Sequence, residues 1–202
     1  MVVNRGFGGR RTGVTQPDLP PGQYDVGEGW PVLTAEVTPR IDPARWTMSV
    51  DGLVENPSAW TWDEIHRLAP SEYAGPIHCV TTWSKFGTRF SGVSVDTLLD
   101  VASPLPVATH VLGTSTTGYT TNLPLEHIRN GQAWIVWGFD GRPLAREHGG
   151  PVRLLVPHLY FWKSAKWITK LTLLDHDQQG FWERYGYHDL GDPWREQRYQ
   201  GD

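Results

Sequence analysis

The sequence contains a single cysteine, Cys79, which lies between a histidine and several hydroxyl residues in HCVTTWS (residues 78–84). A thiolate is both a nucleophile and a ligand for soft metal ions, so this position predicts one of two kinds of chemistry. A nucleophile needs a base within hydrogen-bond reach. The adjacent His78 is a poor base, because neighbouring side chains on a strand point to opposite faces. The alternative is an unreactive core residue, since free cysteine is among the most buried residue types.

A second group of polar residues lies within REHGGPVRLLVPHLYFWKSAKW (residues 146–167). Its members are His148, Arg153, Lys163, Ser164 and Lys166. Arg153 begins an apolar segment, and a buried arginine requires an anion, such as a phosphate that accepts the guanidinium bidentately. The two lysines and the serine are predicted to donate to the same anion, and the two glycines after the histidine allow close approach of backbone to a ligand. The alternative is a surface loop with ordinary solvated cations.

The composition excludes several classes of function. The net charge of −4 and a pI near 6.0 argue against nucleic-acid binding, which needs clustered lysine and arginine. One cysteine cannot form an internal disulfide, so the chain does not depend on an oxidising compartment. No apolar run is long enough to span a membrane. We therefore expect a cytoplasmic protein.

Short strands and turns are the elements predicted to position these residues. The 22 glycines and 16 prolines punctuate the chain, apolar and polar residues alternate in several segments, and Thr61 and Ser94 are helix-capping residues. Predicted strands occupy residues 30–37, 45–54, 78–84, 109–116, 119–125, 133–144, 152–157 and 166–174, the sixth with a turn at Asp140–Gly141, and predicted helices occupy residues 61–68, 94–102 and 125–131.

These elements predict an α+β fold with mostly-β mixed sheets and a few short helices. Residues 1–30 are rich in glycine, proline and arginine and are predicted to form an extended N-terminal lead-in. Residues 31–202 are predicted to form a single domain, because no linker or repeat divides them. The alternatives for Trp83, Tyr160 and Trp162 are a place in the wall of a pocket and a place in the core, and the core is favoured because aromatic side chains mostly fill cores.

Five blocks of the sequence follow one another in an order that is found in a known family. They are CVTTWS, FSGVSVDTLL, YTTNLPL, GFDGRPLAREHGGPVRLLVP and KSAKWITKLTL, within residues 30–175. In this order they resemble the molybdenum-cofactor domain of the sulfite oxidase family. The resemblance implies that domain's fold and a molybdenum–molybdopterin cofactor. It also implies that one cysteine thiolate binds the metal, and by position Cys79 is this catalytic residue and metal ligand.

The resemblance also implies which residues hold the cofactor. His148 matches a polar position just before the family's Gly-x-Pro-x-Arg run, and Arg153 matches its arginine. Ser164 and Lys166 match the Ser-x-Lys pair that holds the pterin phosphate. Thr114 is placed at the threonine or aspartate that precedes the helix at residue 125. The predicted cofactor-binding set is Thr114, His148, Arg153, Lys163, Ser164 and Lys166.

The function that follows from the resemblance is a two-electron oxygen-atom transfer on a small sulfur or nitrogen oxide, with an unidentified electron-transfer partner. Sulfite itself is not expected, because the arginines that hold sulfite in the family have no clear counterpart here. The family's haem and dimerisation domains have no counterpart in these 202 residues, so we expect a monomer. Two alternatives stay open at this point: a hydrolase or thiol enzyme that uses Cys79 without a metal, and a binding module without activity.

Overall fold

The computed structural model of the chain describes residues 19–202, so most of the predicted N-terminal lead-in, residues 1–18, lies outside it. Two sheets form the framework, one of six strands and one of five. In chain order the strands are β1 (Tyr24–Asp25), β2 (Thr47–Gly52), β3 (Ser58–Thr61), β4 (Ser71–His78), β5 (Trp83–Ser94), β6 (His110–Ser115), β7 (Thr120–Pro124), β8 (Trp134–Phe139), β9 (Arg142–Pro143), β10 (Arg153–Leu155) and β11 (Ile168–Leu174).

The six-stranded sheet is organised around the long strand β5. Its order is β1–β5–β8–β10, with β4 also paired to β5 and β9 paired to β8. Only β1 runs parallel to its neighbour; the other pairs are antiparallel. The five-stranded sheet has the order β3–β2–β11–β6–β7, with β2 and β11 parallel. This arrangement is the mostly-β mixed architecture that the sequence predicts.

Two short α-helices, α1 (Trp62–Ile65) and α2 (Val95–Ala102), begin at the capping residues that the sequence indicates. Thr61 and Glu64 form a reciprocal capping box on α1, and Ser94 accepts from the Asp96 amide on α2. One face of α2 is fully buried, so Leu98→Ala is expected to cost about 2–5 kcal/mol. Single turns of 3-10 helix occupy Pro43–Arg45, Leu125–His127, Arg146–His148, Phe161–Lys163, Glu183–Tyr185 and Pro193–Arg195. Within residues 19–202, no helix has the length and apolar character needed to cross a membrane.

The six-stranded sheet is covered on both faces by apolar side chains. Along β8, Ile135 joins a large cluster shared with α2 and the other sheet, whereas Trp134 and Val136 join a smaller cluster on the opposite face. This division follows from the alternation of side chains along a strand. The smaller cluster contains Cys79, so the thiol belongs to the less extensive of the two cores.

Several segments differ from the sequence prediction. The predicted helix at residues 125–131 is a single 3-10 turn at Leu125–His127, and β3, β4 and most of β5 were not predicted. Residues 30–37, predicted as a strand, have no regular structure and run across the surface with Val32, Leu33 and Val37 exposed. They do not pair with a strand within residues 19–202; side chains hold them instead, through the stacking of Trp30 on His148 and the hydrogen bond from Lys166 to the Leu33 carbonyl. Residues 78–84, predicted as one strand, are instead the end of β4, a turn and the start of β5. The boundary at residue 30 stays a prediction, although β1 already pairs with β5 before it.

Candidate active site

Cys79 lies in the tight turn that connects β4 to β5, which we call the thiol turn (residues 79–82). The Cys79 amide donates to the Trp83 carbonyl at 2.8 Å, and the Thr82 amide donates to the Cys79 carbonyl at 3.1 Å. Thr82 has a φ of 73°, a left-handed conformation that is an outlier for a β-branched residue. Strain of this kind concentrates at functional sites and persists only where the surrounding structure enforces it.

The Cys79 thiol faces a cavity and is 7% exposed. Thr81 Oγ1 lies 3.2 Å from the sulfur. Burial raises the pKa of Cys79, and hydrogen bonds from Thr81 and Val80 and the charge of Lys166 oppose this rise without cancelling it. The thiol is therefore protonated near neutral pH, and it becomes a thiolate when a metal ion displaces the proton.

His78 does not act on the thiol. Its Nδ1 lies 2.8 Å from Ser84 Oγ, and burial lowers its pKa to about 4. Within residues 19–202 the thiol is hydrogen-bonded by Thr81 and by no histidine nitrogen. A thiol nucleophile needs a base at this distance, so the geometry counts against a hydrolase that depends on Cys79.

The cavity beside Cys79 has a volume of about 290 Å³, close to the lower end of small-molecule sites. Four parts of the chain form its walls: the segment at residues 30–36, the thiol turn with Trp83 directly after it, the polar segment between residues 148 and 166, and three aromatic residues from elsewhere. Those three residues are Tyr119, Trp182 and Tyr187.

Arg153 is a buried cation on this cavity without a carboxylate partner among residues 19–202. Its guanidinium donates to the carbonyls of His148 at 2.7 Å and Ser164 at 2.6 Å, and it lies 3.9 Å above the ring centre of Phe161. Burial lowers its pKa to about 9. Carbonyls satisfy some of its donors, but they do not neutralise its charge, so the cavity favours an anion.

Lys166 adds a second cation to the same wall. Its ammonium donates to the carbonyls of Leu33 at 2.8 Å and Glu147 at 2.6 Å, which leaves one of its three protons free. Burial, and then the positive charge of Arg153, lower its pKa to about 8. Ser164 lies between the two cations in the wall, and its Oγ accepts from the Val156 amide at 2.8 Å, so its hydroxyl proton stays available.

His148 contributes a neutral ring to the cavity. The ring stacks on Trp30 with 3.8 Å between ring centres and an angle of 11°. Burial lowers the pKa of His148 to about 4, and the charge of Arg153 acts in the same direction. Near pH 7 this histidine is therefore neutral, and the positive charge of the wall comes from Arg153 and Lys166.

The structure does not bring Lys163 into the site. Its ammonium is fully buried, pairs with Glu183 Oε1 at 2.6 Å and also donates to Asn122 and to the Asp189 carbonyl. All three of its protons are used by these partners, so it cannot reach an anion in the cavity. The prediction for Lys163 is corrected: it joins the C-terminal residues to the core behind the cavity wall. Glu183 also accepts from the indole of Trp162, which lines the cavity.

Thr114 is also outside the cavity. It lies in the middle of the five-stranded sheet, where β6 pairs with β7 and β11, and its carbonyl accepts from Thr169 Oγ1 at 3.1 Å. Tyr119, at the end of the turn that follows β6, reaches the cavity instead and donates to the Trp162 carbonyl at 2.7 Å. The β6–β7 connection therefore contributes to the site through Tyr119, which lies five residues after the predicted Thr114.

Sequence reasoning missed the aromatic half of the site. Trp83 and Trp162 are buried, as interpreted, but both also line the cavity. Trp30, Trp182 and Tyr187 were not selected, although an aromatic C-terminal segment was the available signal. Five of the seven predicted site residues meet around one cavity: Cys79, His148, Arg153, Ser164 and Lys166.

A protein-family model described as "Oxidoreductase molybdopterin binding domain" matches residues 35–182 of the chain. The match includes the thiol turn and the polar segment with Arg153, Ser164 and Lys166. It does not include Trp30 or Tyr187, which line the same cavity from outside the matched region.

Relatives of known name cover the chain to different extents. The chain is 37% identical over 197 residues to uncharacterized oxidoreductase YuiH of Bacillus subtilis (strain 168), covering 97% of this chain and 99% of that protein. It is 30% identical to putative protein-methionine-sulfoxide reductase subunit YedZ1 of Azospira oryzae, covering 75% of this chain and 57% of that protein. It is 28% identical to protein-methionine-sulfoxide reductase catalytic subunit MsrP of Gluconobacter oxydans, covering 84% and 59%. The chain thus spans nearly all of the Bacillus protein and little more than half of the two named reductases.

Among solved structures, the chain resembles the sulfane dehydrogenase SoxCD of Paracoccus pantotrophus. The TM-score is 0.64 at 19% identity, and the likeness covers 69% of this chain and 41% of that chain. At this identity the likeness concerns the fold alone.

Proposed function

This chain belongs to the oxidoreductase molybdopterin-binding domain family, and from that premise we propose that it catalyses oxygen-atom transfer on a small sulfur or nitrogen oxide. It is an enzyme with a molybdenum–molybdopterin cofactor, and the predicted fold class, family and cofactor are confirmed. When bound, the cofactor supplies the two-electron transfer of an oxygen atom.

The observation that carries the proposal is one cavity with a buried thiol and a buried arginine that has no carboxylate partner in the described part of the chain, residues 19–202. A ligand that suits both needs a metal for the sulfur and an anionic group for the guanidinium. Molybdopterin has a phosphate and carries a metal, so the residues present fit this cofactor. An uncharged organic ligand would leave the arginine uncompensated, which is costly in a buried site.

We propose that Cys79 holds the molybdenum as a thiolate. The sulfur faces the cavity from a turn whose backbone is fixed on both sides, so its direction is set before any ligand binds. Thr81 Oγ1, 3.2 Å away, would donate to the thiolate and stabilise its charge.

The anion end of the site would consist of Arg153, Ser164 and Lys166. Arg153 uses three of its five N–H donors on the carbonyls of Leu154, His148 and Ser164, so two remain. Lys166 has one free proton, and Ser164 has its hydroxyl proton. These four donors support the binding of a pterin phosphate without a change in the partners that already hold the side chains.

The substrate that fits the remaining walls is a neutral oxide such as a sulfoxide. Trp162, Trp182 and Tyr187 present apolar aromatic surface, against which a thioether sulfur packs favourably. Two of the relatives are named protein-methionine-sulfoxide reductases, which supports the same chemistry. The balanced reduction is R₂SO + 2H⁺ + 2e⁻ → R₂S + H₂O, so each turnover needs an electron donor.

We propose that a separate redox protein delivers these electrons, and that this chain acts as a monomer in the cytoplasm. The relatives with reductase names are called subunits, which supports a divided system. The lone cysteine forms no disulfide, which suits a reducing compartment.

The test starts from protein produced in a host that makes molybdopterin. Metal analysis and pterin fluorescence after acid oxidation are expected to find both groups in near-stoichiometric amounts. Reduced viologen dye should then drive the reduction of methyl p-tolyl sulfoxide.

Cys79→Ser should abolish this turnover while retaining the pterin and the melting temperature. Thr116→Ala, on an exposed turn, serves as the control and should behave like the wild type. Turnover in metal-free protein that alkylation of Cys79 stops would overturn the proposal in favour of a thiol enzyme.

A further inference from the structure

The thiol turn is supported from behind by Gln23, a residue that precedes the part of the chain matched by the family model. Gln23 is 8% exposed. Its Nε2 donates to the Cys79 carbonyl at 3.1 Å, and its Oε1 accepts from Ser84 Oγ at 3.2 Å. The Gln23 side chain thus connects Cys79 with Ser84, the second residue of β5.

The contact continues into a buried chain of hydrogen bonds. Ser84 is fully buried and lies 2.8 Å from Nδ1 of His78, which is 3% exposed. The backbone beside Gln23 adds two further bonds, because the Tyr24 amide donates to the Thr82 carbonyl at 2.9 Å and the Val26 amide donates to the Ser84 carbonyl at 2.9 Å. The segment at residues 23–26 therefore forms hydrogen bonds with residues 79 and 82 of the thiol turn and with residue 84, just after it.

These hydrogen bonds explain how the strained thiol turn stays in one conformation. The left-handed conformation of Thr82 has a cost and needs neighbours that enforce it. The Cys79 carbonyl accepts from both the Thr82 amide and the Gln23 amide, so both of its lone pairs are used. Without Gln23, that carbonyl loses the one partner outside the turn that it has within residues 19–202, and the direction of the Cys79 side chain is less restricted.

We propose that Gln23 is a positioning residue that fixes the direction in which Cys79 presents its sulfur to the cavity. The proposal rests on the proposed function only in assigning the sulfur to the metal. The effect on the thiol itself is measurable without any cofactor. Because Cys79 is the only cysteine in the chain, its reaction with N-ethylmaleimide reports on this one turn.

The experiment compares Gln23→Met, Gln23→Glu and a matched control in cofactor-free protein at fixed pH. Gln23→Met keeps the side-chain length and removes both hydrogen bonds. Gln23→Glu keeps the acceptor for Ser84 but sets a carboxylate oxygen against the Cys79 carbonyl. Gln197→Met is the control, because Gln197 is a buried glutamine, 6% exposed, whose Oε1 accepts from the Asp192 amide and whose side chain bonds to no residue of the thiol turn within residues 19–202.

Both Gln23 variants are expected to be alkylated about 5–10-fold faster than the wild type, because the lost hydrogen bonds leave the thiol turn less restricted. Gln197→Met should have a lower melting temperature and an unchanged alkylation rate. In protein loaded with cofactor, the Gln23 variants should contain less molybdenum per pterin, because the phosphate anchor is intact and the metal ligand is not. If the Gln23 variants do not fold, Ser84→Ala replaces them in the test. Of the two hydrogen bonds of the Gln23 side chain it removes only the one that Ser84 donates, so its alkylation rate should rise by less than is expected for the Gln23 variants.

Equal alkylation rates and equal metal-to-pterin ratios in Gln23→Met, Gln197→Met and the wild type would overturn the proposal. Faster alkylation of the Gln23 variants, together with a wild type that takes up no molybdenum, would support the positioning role and reject the proposed function. The two hypotheses therefore fail in different measurements.

Discussion

Arg153 and Lys163 are ten residues apart, both are cations, and both are almost completely buried, yet their surroundings differ in kind. Lys163 has a carboxylate, Glu183, at 2.6 Å and an amide and a carbonyl beside it. Arg153 has carbonyl groups and an aromatic ring beside it and, among the residues that the structure describes, no carboxylate. The first cation is compensated within the fold, whereas the second is left for a ligand.

The comparison teaches that burial alone does not mark a functional charge. Burial lowers the pKa of both side chains, and in Lys163 the charge of Glu183 opposes that effect. A cation whose compensation is internal contributes to stability, and a cation without it contributes to binding. The two roles can be separated by substitutions that remove one cation at a time.

The largest effect is expected for Lys163→Met. This substitution leaves Glu183 buried without its partner, which typically costs about 3–5 kcal/mol. Urea unfolding of cofactor-free protein measures the loss, and the pterin content of the protein that folds should stay near that of the wild type. A stability within 1 kcal/mol of the wild type, roughly the size of one hydrogen bond, would contradict the assignment.

Arg153→Met should show the opposite pattern. The stability of the cofactor-free protein is expected to fall less, by about 1–3 kcal/mol, since the substitution leaves carbonyl groups unpaired but also removes an uncompensated charge. The pterin retained after purification should fall about 10-fold or more, because charge-assisted hydrogen bonds to the phosphate are lost. Full pterin occupancy in this variant would show that Arg153 is not part of the anchor.

The double substitution Lys163→Met/Glu183→Gln sharpens the comparison. If the two side chains form one compensated pair, the losses are not additive, and a coupling energy of about 1–3 kcal/mol is expected from a double-mutant cycle. The same cycle built from Arg153→Met and Glu183→Gln serves as the control and should give additive losses.

The affinity of the site for phosphate should depend on pH through Lys166 and not through Lys163. Burial lowers the pKa of Lys166 to about 8, the charge of Arg153 acts in the same direction, and the charges of Glu36 and Glu147 oppose the shift. Calorimetry of inorganic phosphate with cofactor-free protein should give an affinity that falls from pH 7 to pH 9, as the ammonium deprotonates. Stability should change in the other direction, because between pH 8 and pH 10.5 the unfolded lysine binds more protons than the folded one.

Lys166→Met should weaken phosphate binding and flatten the fall in affinity between pH 7 and pH 9, and the fall that remains is assigned to Arg153, whose pKa burial lowers to about 9. An unchanged profile in this variant would assign the titration to another group.

The smallest effect is expected for Ser164→Ala. The Val156 amide loses its acceptor, so the stability should fall by about 1 kcal/mol, and pterin retention should fall less than in Arg153→Met. Differential scanning calorimetry and pterin fluorescence measure the two quantities. A pterin loss as large as that of the arginine variant would mean that the hydroxyl, rather than the guanidinium, dominates the anchor.

The sequence predicted the location of Arg153 beside the cavity, but it did not predict the internal ion pair of Lys163. Cys79 stands out because it is unique, and Arg153 because it begins an apolar segment, and the structure brings both to one cavity. Lys163 was placed with them because it is one residue before Ser164, and the sequence does not indicate that its partner Glu183 comes 20 residues later. Such a long-range pairing depends on the packing of the C-terminal segment, which has no regular periodicity.

The segment at residues 30–37 was misassigned for a related reason. Its short apolar stretch is typical of a strand, but Trp30 stacks on His148 and the Leu33 carbonyl accepts from Lys166, so side chains from a distant part of the chain hold it. Helix caps and hairpin turns depend on neighbouring residues and were predicted correctly at Thr61 and Ser94. Contacts between distant segments were recovered only where a single residue type was distinctive enough to reveal them.

The cavity walls include Trp30 near one end of the sequence and Trp182 and Tyr187 near the other. Translation proceeds at about 5–20 residues per second, so roughly 10–30 s separate the synthesis of Trp30 from that of Tyr187. Cys79 is made within that interval, and until Tyr187 follows it the nascent chain contains the thiol without the full set of aromatic residues that line its cavity. The cavity that we propose for the cofactor is therefore complete only after residue 187 has been added.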